Sequence, residues 1–399
     1  MSASRHRILH VFRAPLGGLF RHVLDVAQAQ AERGHEVGIF CDSTTGGERA
    51  QRVLADLAPM LSLGVTRVPM RRNPNPMDAV ALAALARIYR SACPNVLHGH
   101  GSKGGAYARL VMSRKLDGET IRAYTPHGGS FNYNPGTVLH RVYMAAEAML
   151  ARRTDVFLFE SAYVAGRFRE FVGGTDRLVR VVVNGIGDNE FDPLVRTPEP
   201  FDLVYVGELR AAKGVETLIE AVSLLRARGA RLTLLIVGSG PSDDELKQFA
   251  RDKGVWDSVA FSPPQPIRDA LGRGRIMVIP SRAESLPYVI LEAAAASQPL
   301  VATHVGGIPE IFGPHVGELI APNDPVVLAN AILAKIGETE EVRAAKAKAL
   351  SDFVRCRFSL GGMIDGVLSG YAAAFDARGL AASGAALHGR VKGSVKPAT

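Results

Sequence analysis

The strongest constraint on the fold is a repeated alternation of short β-rich runs and helical stretches. Residues 7–12 form a β-rich run, a Gly17-Gly18 turn follows, and apolar residues recur at helical spacing over 19–33. Gly34 lies where a helix would end, and residues 37–41 resume an apolar strand. This order of strand, glycine turn, helix and strand predicts a βαβ unit of a parallel sheet.

The same alternation continues along the chain and predicts two sheets. Further strands of a first series are predicted at 66–70, 96–98, 121–125 and 156–159, with helices at 79–91 and 139–153. A second series of strands is predicted at 202–207, 232–238, 259–261, 276–280 and 299–302. Prolines and polar residues over 185–200 separate the two series, which is typical of a linker.

The length of the chain predicts two domains. Its 399 residues exceed the roughly 250 to 300 that a single hydrophobic core supports. We expect a first domain at 1–185, a linker at 186–201 and a second domain at 202–358. A helix at 359–376 is expected to return to the first domain, and the Gly-, Ala- and Lys-rich segment 377–399 is expected to be disordered.

Composition excludes several classes of protein. Apolar residues make up 47% of the chain and charged residues 22%, which argues against disorder, a collagen-like fibre and a coiled-coil rod. No apolar stretch approaches the roughly 20 residues of a membrane span, and residues 1–18 lack the apolar segment of a signal peptide, so we expect a cytoplasmic protein. Cys41, Cys93 and Cys356 lack C-x-x-C spacing, which predicts free thiols.

The formal net charge of +8 is concentrated in the first half of the chain. Residues 1–199 hold 25 Lys and Arg against 18 Asp and Glu, and residues 200–399 hold 22 against 21, so the halves carry +7 and +1. A basic surface attracts anionic lipid, phosphorylated substrates or nucleic acid, or is simply solvated. The first half contains three pairs of adjacent basic residues: Arg71-Arg72, Arg114-Lys115 and Arg152-Arg153. Aromatic residues are not interleaved with these pairs, which disfavours binding of nucleic acid. We expect peripheral contact with the inner face of an anionic membrane.

Two glutamates eight positions apart mark the most informative segment, PSRAESLPYVILEAAAA at residues 280–296. Glu284 is predicted in the loop after an apolar strand, and Glu292 in the first turns of the next helix. The N-terminus of a helix offers unpaired N–H groups and the positive end of its dipole, which suit a phosphate or a hydroxyl-rich ligand. Taken alone, Glu284 could equally be an exposed loop acid.

Three further loops at predicted strand ends carry cations or glycines. The segment VGELRAAKG at 206–214 places Arg210 and Lys213 before a helix, where two cations can neutralise a pyrophosphate. VGSGP at 237–241 and THVGGIPE at 303–310 contain glycines that let the backbone approach a ligand. On its own, the G-x-G of VGSGP is better explained as an ordinary tight turn.

In this order the segments resemble family 4 (group 1) of the retaining nucleotide-sugar glycosyltransferases. That family has the GT-B architecture, an α/β fold of two facing Rossmann-like domains with parallel sheets and a cleft between them. The resemblance covers nearly the whole chain and includes HGHGSKGG at 98–105, TPHG at 125–128 and VNGI at 183–186. It implies a hexosyltransferase-type enzyme of class EC 2.4 with a UDP- or GDP-sugar as donor and a saccharide or lipid-linked acceptor. The segments ESLPY, GELR and TPHGGSFNYNPG resemble glycosyltransferases of bacterial exopolysaccharide and surface-polysaccharide assembly.

The resemblance also implies roles for individual residues. Glu284, His127 and Lys213 would be catalytic: Glu284 contacts the transferred sugar, His127 hydrogen-bonds that sugar from the first domain, and Lys213 binds the diphosphate. Glu292 would bind the ribose, and Gly18 would let the first loop approach the β-phosphate. The full donor-binding set is Gly17, Gly18, Gly207, Arg210, Lys213, Gly238, Gly240, Glu284, Leu286, Ile290, Leu291 and Glu292.

Two positions depart from the family pattern. The family usually has Gly-Arg-Leu where this chain has Gly207-Glu208-Leu209, so the phosphate-binding arginine is absent there and Arg210 is the candidate replacement. The usual Gly-Phe after the first glutamate is Ser285-Leu286 in this chain, which would alter the donor-sugar pocket.

The histidines raise the question of a metal site. His98 and His100 could bind a metal, but no third ligand lies at a suitable spacing in the sequence, and the chain has no D-x-D motif to hold a sugar diphosphate through a metal ion. A GT-B enzyme can use cations and helix dipoles instead. We therefore expect neither a metal nor another cofactor.

Other functions make different demands on the same residues. A Rossmann dehydrogenase needs G-x-G-x-x-G after its first strand, whereas residues 14–19 read APLGGL. A sugar-nucleotide epimerase of related fold would keep the nucleotide site and transfer to no acceptor. A non-catalytic nucleotide-sugar-binding protein would keep its biological activity after mutation of Glu284.

Overall fold

The structure is a computed structural model that describes residues 5–132 and 135–380. The chain divides into two compact units. Unit 1 consists of Met1–Val183 and Met363–Thr399, and unit 2 consists of Asn184–Gly362. Each unit has its own parallel sheet and its own hydrophobic core.

Unit 1 is an alternation of strands and helices. Its strands are β1 (Arg7–Phe12), β2 (Glu36–Asp42), β3 (Gly64–Val68), β4 (Val96–His100), β5 (Ile121–Thr125), β6 (Val156–Phe159) and β7 (Leu178–Val181). The helices between them are α1 (Gly17–Glu32), α2 (Gly47–Leu57), α3 (Met77–Ala92), α4 (Gly101–Leu110), α5 (Val138–Ala151) and α6 (Ala162–Phe171). Within the described residues the strands form one seven-stranded sheet in the order β3-β2-β1-β4-β5-β6-β7, and neighbouring strands are parallel. The strand order reverses between β1 and β4, which is where ligands bind in such sheets.

Unit 2 repeats the pattern on a smaller scale. Its strands are β8 (Phe201–Val206), β9 (Leu234–Val237), β10 (Val259–Ser262), β11 (Gly274–Ile279) and β12 (Leu300–Ala302). Its helices are α7 (Val215–Ala227), α8 (Asp243–Asp252), α9 (Ile267–Gly272), α10 (Tyr288–Ala295), α11 (Ile308–Phe312), α12 (Pro325–Gly337) and α13 (Glu340–Arg357). In the part of the chain that the structure describes, the strands form a five-stranded parallel sheet in the order β10-β9-β8-β11-β12.

The strands of unit 2 are apolar on both faces because helices cover both sides of the sheet. All four residues of β9 are buried, and the core joins two of them, Leu234 and Ile236, to Leu218 and Ile219 of α7 and to Leu328 and Ile332 of α12. Burying one such side chain contributes about 1.5–3 kcal/mol. The prediction of two Rossmann-like, parallel-sheet domains is confirmed.

Two strands of unit 1, β7 and β3, differ most from the prediction. Strand β7 was not predicted, because three of its four residues are exposed and its LVRV sequence lacks the continuous apolar character of a buried strand. Strand β3 is displaced by two residues from the predicted 66–70 and is only half-buried, which weakens its apolar signal.

The segment predicted as a linker, 186–201, packs on unit 2. Ile186 is buried and its N–H donates to the carbonyl oxygen of Phe358 at 2.9 Å. The guanidinium of Arg268 donates to the carbonyl oxygens of Glu190 and Asp192 at 2.7 and 2.6 Å. These bonds satisfy a backbone that has few strand or helix partners of its own.

The last helix, α14 (Leu360–Ala377), belongs to unit 1 from Met363 onward. Tyr371 is fully buried, and Arg378 donates to the carbonyl oxygen of Thr120 at 2.6 Å. Of the predicted tail 377–399, residues 377–380 are therefore ordered on unit 1, and the remainder lies outside the described residues.

The structure also bears on the cysteines and on membrane-spanning helices. Cys41, Cys93 and Cys356 are free thiols, as predicted. No helix among residues 5–132 and 135–380 combines the length and the apolar character that a membrane span needs.

Candidate functional site

The loop after β11 holds Glu284 in a buried ion pair. The Oε1 atom of Glu284 accepts hydrogen bonds from Lys213 Nζ at 2.6 Å and from Ser281 Oγ at 2.7 Å. Only 8% of the Glu284 side chain and 17% of the Lys213 side chain are exposed. Burial, followed by the negative charge of Glu284, raises the pKa of nearby Tyr205 above its usual value. The structure thus brings together two predicted catalytic residues that are 71 positions apart in the sequence.

Lys213 is positioned by a short turn that is fixed to the Glu284 loop. Ala211–Lys213 form a 3-10 turn that ends on Gly214, whose φ of +66° is left-handed. A Cβ atom at Gly214 would overlap the carbonyl oxygen of Pro280, and Arg282 N donates to the carbonyl oxygen of Ala212 at 2.9 Å. The loops after β8 and β11 therefore touch through backbone atoms, and this contact needs a glycine.

The other two glycine loops pack equally closely. A Cβ atom at Gly306 would overlap the carbonyl oxygen of Glu284, and one at Gly238 would overlap that of Gly207. Gly240 approaches the carbonyl oxygen of Leu209 in the same way. All four loops follow the carboxyl ends of neighbouring parallel strands, so they lie along one edge of the sheet, where open α/β sheets bind ligands.

Helix α10 contributes Glu292, and its apolar residues are core residues. Glu292 is half-buried. Leu286, Ile290 and Leu291, predicted as donor contacts, are 2%, 0% and 0% exposed, so their side chains are buried inside unit 2. The carbonyl oxygen of Leu286 accepts from Asn184 Nδ2 at 2.8 Å, and contact of these three residues with a donor stays a prediction.

Arg210 forms an ion pair with Glu208, the residue that stands where the family usually has an arginine. Its Nε lies 2.8 Å from Oε2 of Glu208, and the two side chains are 43% and 57% exposed. The carboxylate of Glu208 therefore offsets the charge that Arg210 would offer to a diphosphate. An exposed pair of this kind contributes about 0–1 kcal/mol, so an anionic ligand can open it.

The first loop of unit 1 presents two exposed glycines. Gly17, with a φ of +62°, begins α1, and Gly18 follows it. The backbone N–H groups at this helix start have no side-chain cap. Such N–H groups, at the positive end of the helix dipole, suit an anion.

His127 lies in the loop after β5 at a left-handed φ of +52°. Its backbone N–H donates to Glu160 Oε2 at 3.1 Å, and its ring Nε2 lies 3.2 Å from Nδ1 of His100. The ring of His22, from α1, packs edge-on against it with the two centroids 4.6 Å apart.

His127 is one member of a histidine cluster, defined as His10, His22, His98, His100 and His127. His10 Nδ1 lies 2.9 Å from His100 Nε2, and His10 Nε2 lies 2.8 Å from Gln30 Oε1. His98 Nδ1 and Nε2 contact the hydroxyls of Tyr371 and Thr125 at 2.7 and 2.9 Å. Burial lowers the pKa of His10 to about 4 and those of His98, His100 and His127 well below 6.5, so these imidazoles are neutral at pH 7.

The sequence argument that His98 and His100 lack a third ligand does not hold in the fold. Parallel pairing of β1 with β4 sets His10 beside His98, and α1 brings His22 to the end of the same strands. Spacing along one segment could not show this. A usable signal was the presence of histidines at the ends of several predicted strands, because those ends meet at one edge of a parallel sheet.

The sequence is similar to families and individual proteins that are already known. Residues 16–190 match the family described as "Glycosyltransferase Family 4", and residues 188–350 match "Glycosyl transferases group 1". A glycogen synthase of Mycobacterium tuberculosis is 30% identical over 369 residues, which is 85% of this chain and 88% of the relative. D-inositol 3-phosphate glycosyltransferase 1 of Catenulispora acidiphila is 27% identical over 86% of this chain and 91% of its own.

A solved structure has the same fold. HepE of Anabaena, solved with UDP and glucose, superposes with a TM-score of 0.75 at 18% identity and covers 92% of this chain and 100% of its own. The expectation of the GT-B class of Rossmann-like domains is confirmed by this likeness. On the family matches and the relatives together, the chain belongs to the group 1, family 4 glycosyltransferases, enzymes of class EC 2.4.

Proposed function

We propose that this glycosyltransferase moves a sugar from a nucleoside diphosphate sugar to a saccharide or lipid-linked acceptor with retention of anomeric configuration. The observation that carries the proposal is the buried Lys213–Glu284 pair at the loop edge of the unit 2 sheet. The UDP and glucose bound by HepE, which has the same fold, support a UDP-sugar as donor, with a GDP-sugar as the other candidate. The resemblance to surface-polysaccharide enzymes supports a role in bacterial polysaccharide biosynthesis.

The roles of the residues follow from charge. The bond between the anomeric carbon and the diphosphate oxygen breaks with its electron pair on the oxygen, so negative charge grows on the leaving group. Lys213, with Arg210 once released from Glu208, stabilises that charge more in the transition state than in the ground state. Glu284 orients the sugar and favours the positive charge that develops at the anomeric carbon. Glu292 binds the ribose hydroxyls.

Unit 1 supplies three further residues to the proposed site. The exposed backbone of Gly17 and Gly18 binds a phosphate oxygen, and His127 hydrogen-bonds the donor sugar.

The reaction needs no divalent ion, because fixed cations and helix dipoles provide the positive charge. Transfer activity in excess EDTA tests this point, and its loss would contradict the proposal.

The decisive experiment is a transfer assay on a panel of UDP-, GDP- and ADP-sugars. Donors are first ranked by thermal stabilisation, and NMR then assigns the anomer of the product formed with a glucan or lipid-linked acceptor. Retention of the donor configuration is expected, and inversion would contradict the mechanism. Interconversion of donors without acceptor would favour an epimerase, and binding without turnover on any acceptor would favour a non-catalytic protein.

We also propose that helix α5 contacts an anionic membrane, where a lipid-linked acceptor would lie. Val138, Val142 and Met149 are 68%, 60% and 65% exposed and lie on one face of α5 at helical spacing. Arg141 and Arg152, both exposed, flank that face. An apolar helix face edged by arginines is typical of a helix lying in the lipid head-group region, and each basic residue there contributes about 1 kcal/mol.

Vesicle sedimentation tests this contact. Binding to anionic vesicles at low salt should exceed binding to neutral ones and should fall for Val142→Asp and Met149→Asp. The control is Val195→Asp, because Val195 is 90% exposed in unit 2 and lies outside the proposed surface. Equal binding to both vesicle types, or no effect of the α5 variants, would contradict the proposal.

A further inference from the structure

The His127 loop, defined as residues 127–131, has a backbone that its surroundings must hold in place. His127, Gly128 and Gly129 are left-handed in succession, with φ of +52°, +71° and +37°. A residue with a side chain rarely adopts a positive φ, and such a conformation persists only where neighbouring residues fix it. Side chains outside the loop must therefore supply the support.

Ser130 anchors the His127 loop to two helices. Its backbone N–H donates to Ser102 Oγ of α4 at 2.7 Å, and its hydroxyl donates to Glu147 Oε1 of α5 at 3.3 Å. Ser130 is fully buried, so water does not compete for either bond. We propose that Glu147, acting through Ser130, is a positioning residue that holds the His127 loop in the conformation that presents the imidazole to the donor sugar.

The carboxylate of Glu147 accepts hydrogen bonds from three directions. Its Oε2 accepts from Arg109 Nη2 at 2.8 Å, and its Oε1 accepts from the hydroxyl of Tyr124 at 2.9 Å as well as from Ser130. Burial, followed by the negative charge of Glu147, raises the pKa of Tyr124 well above its usual value, so this hydroxyl stays protonated and donates. Glu147 is only 4% exposed, and these donors fix the direction in which its oxygens face.

Arg109 is in turn held by α4 and β5. It is fully buried, and its Nε donates to the carbonyl oxygen of Gly105 at 2.9 Å. Its guanidinium carbon lies 3.8 Å from the centroid of the Tyr124 ring. Stacking on an aromatic ring fixes the plane of a guanidinium, and with it the direction of the bond to Glu147.

Stability alone does not account for this ion pair. The core around it is apolar and largely aromatic, and includes Phe131, Phe157 and Phe168. Replacing a buried ion pair by apolar residues of similar volume is often neutral or stabilising. What an apolar side chain could not supply is a directed acceptor for the hydroxyl of Ser130, so we assign the pair to positioning of the loop.

The inference rests on the proposed function for the sugar contact of His127, but positioning itself is measured on the ligand-free protein. Hydrogen exchange follows the amides of His127, Ser130 and Phe131, which are all hydrogen-bonded. Ser130→Ala should speed their exchange at least 10-fold. Amides of β1, in the same unit, show whether a variant destabilises the whole unit instead.

A joint variant, Arg109→Met/Glu147→Leu, tests Glu147 without leaving a buried charge unpaired. It should fold, because both charges are removed together, and should show the same fast exchange of the loop. The matched control is Thr154→Val. Thr154 is another fully buried residue of unit 1, but its hydroxyl donates to the carbonyl oxygen of Leu150, so its loss should leave exchange of the loop unchanged.

Kinetics connect the held loop to the sugar. With the best donor of the sugar-nucleotide panel, Ser130→Ala and the joint variant should each lower kcat/KM about 10- to 100-fold, because a displaced contact loses much of its effect. The corresponding nucleoside diphosphate, which has no sugar for His127 to contact, should bind both variants as it binds the wild type. The two changes combined should cost no more than the more harmful one alone, because they act through the same bond.

The outcomes separate the inference from the proposed function. Wild-type exchange of the loop in Ser130→Ala or in the joint variant would overturn the inference, and so would additive losses of kcat/KM when the changes are combined. Wild-type kinetics of His127→Ala would instead refute the sugar contact in the proposed function. Faster exchange in both variants would then still support Glu147 as the residue that holds the loop.

Discussion

At the scale of single residues, Lys213 and Glu284 neutralise each other in a site that is largely closed to water. Neither charge could be removed alone without leaving the other buried and unpaired, which is costly. Under the proposed function, a donor diphosphate competes with Glu284 for the ammonium of Lys213. In the proposed mechanism the pair therefore holds both side chains in place until the donor arrives.

Changing Lys213 to Ala should lower turnover by about 10²-fold or more, which is the usual loss when one group that stabilises developing negative charge is removed. Initial rates at saturating donor measure the effect. Lys247→Ala is the matched control, because Lys247 forms a surface pair with Asp243 on α8 of the same unit. Full activity of Lys213→Ala would rule out the role proposed for this residue.

Substitutions of Glu284 and Glu292 should have different effects on turnover and on donor binding. Glu284→Gln should lower kcat more than it raises the donor KM, because Glu284 acts on charge that develops only in the transition state. Glu292→Gln should mainly weaken nucleotide binding, because the ribose is held alike in both states. Steady-state kinetics and UDP titration distinguish the two, and normal turnover of Glu284→Gln would refute this division.

At the scale of elements, the candidate site depends on loops that approach one another through backbone atoms. The loop after β12 rests on the Glu284 loop at Gly306, and the turn after β8 rests on the start of that loop at Gly214. Glu284 is thus positioned by the loops after the neighbouring strands β8 and β12, as well as by its own loop after β11. A change in one loop should move a side chain in another.

Changing Gly306 to Ala should reduce both stability and activity. The φ of +58° at this position costs an alanine about 1–2 kcal/mol, and its Cβ atom would overlap the carbonyl oxygen of Glu284. The control Gly337→Ala, at the end of α12 with open space around the added atom, should be neutral or stabilising by up to about 1 kcal/mol. Chemical unfolding and transfer rates measure both variants, and wild-type activity of Gly306→Ala would show that the loop tolerates displacement.

At the scale of the whole molecule, two units with separate cores should not unfold as a single two-state system. Scanning calorimetry should therefore resolve more than one transition. A nucleotide at 100 times its Kd stabilises the unit that binds it by about 2.7 kcal/mol. UDP should raise the transition of unit 2 most, because the Lys213–Glu284 pair lies there.

Core variants assign the transitions. Leu85 in unit 1 and Leu218 in unit 2 are both fully buried. Changing either to Ala should lower the midpoint temperature of its own unit's transition, because a buried Leu→Ala change costs about 2–5 kcal/mol of stability. A single transition that both variants lower equally would contradict the expectation of separate unfolding.

Much of the fold could be predicted because its signals are local. Strands such as β6 and β9 are buried on both faces and must be apolar throughout, and helices such as α1 repeat apolar residues at a period near 3.6. Helix α4 is an exception, since GSKGGAYARL contains three glycines that disfavour a helix. Tertiary packing reverses the preference: a Cβ atom at Gly104 or Gly105 would overlap β1 or Tyr124.

The sequence by itself determined two series of parallel strands, the loops at their ends, and which of those loops carry charged residues or histidines. Only the tertiary structure decided which loops become neighbours. Lys213 reaches Glu284 because β8 and β11 are adjacent in the sheet, and His10 meets His98 and His100 because β1 pairs with β4. Strand order and register depend on how distant segments pack, and no local pattern encodes them; this is why the sequence indicated the Lys213 and Glu284 loops separately and missed the histidine cluster.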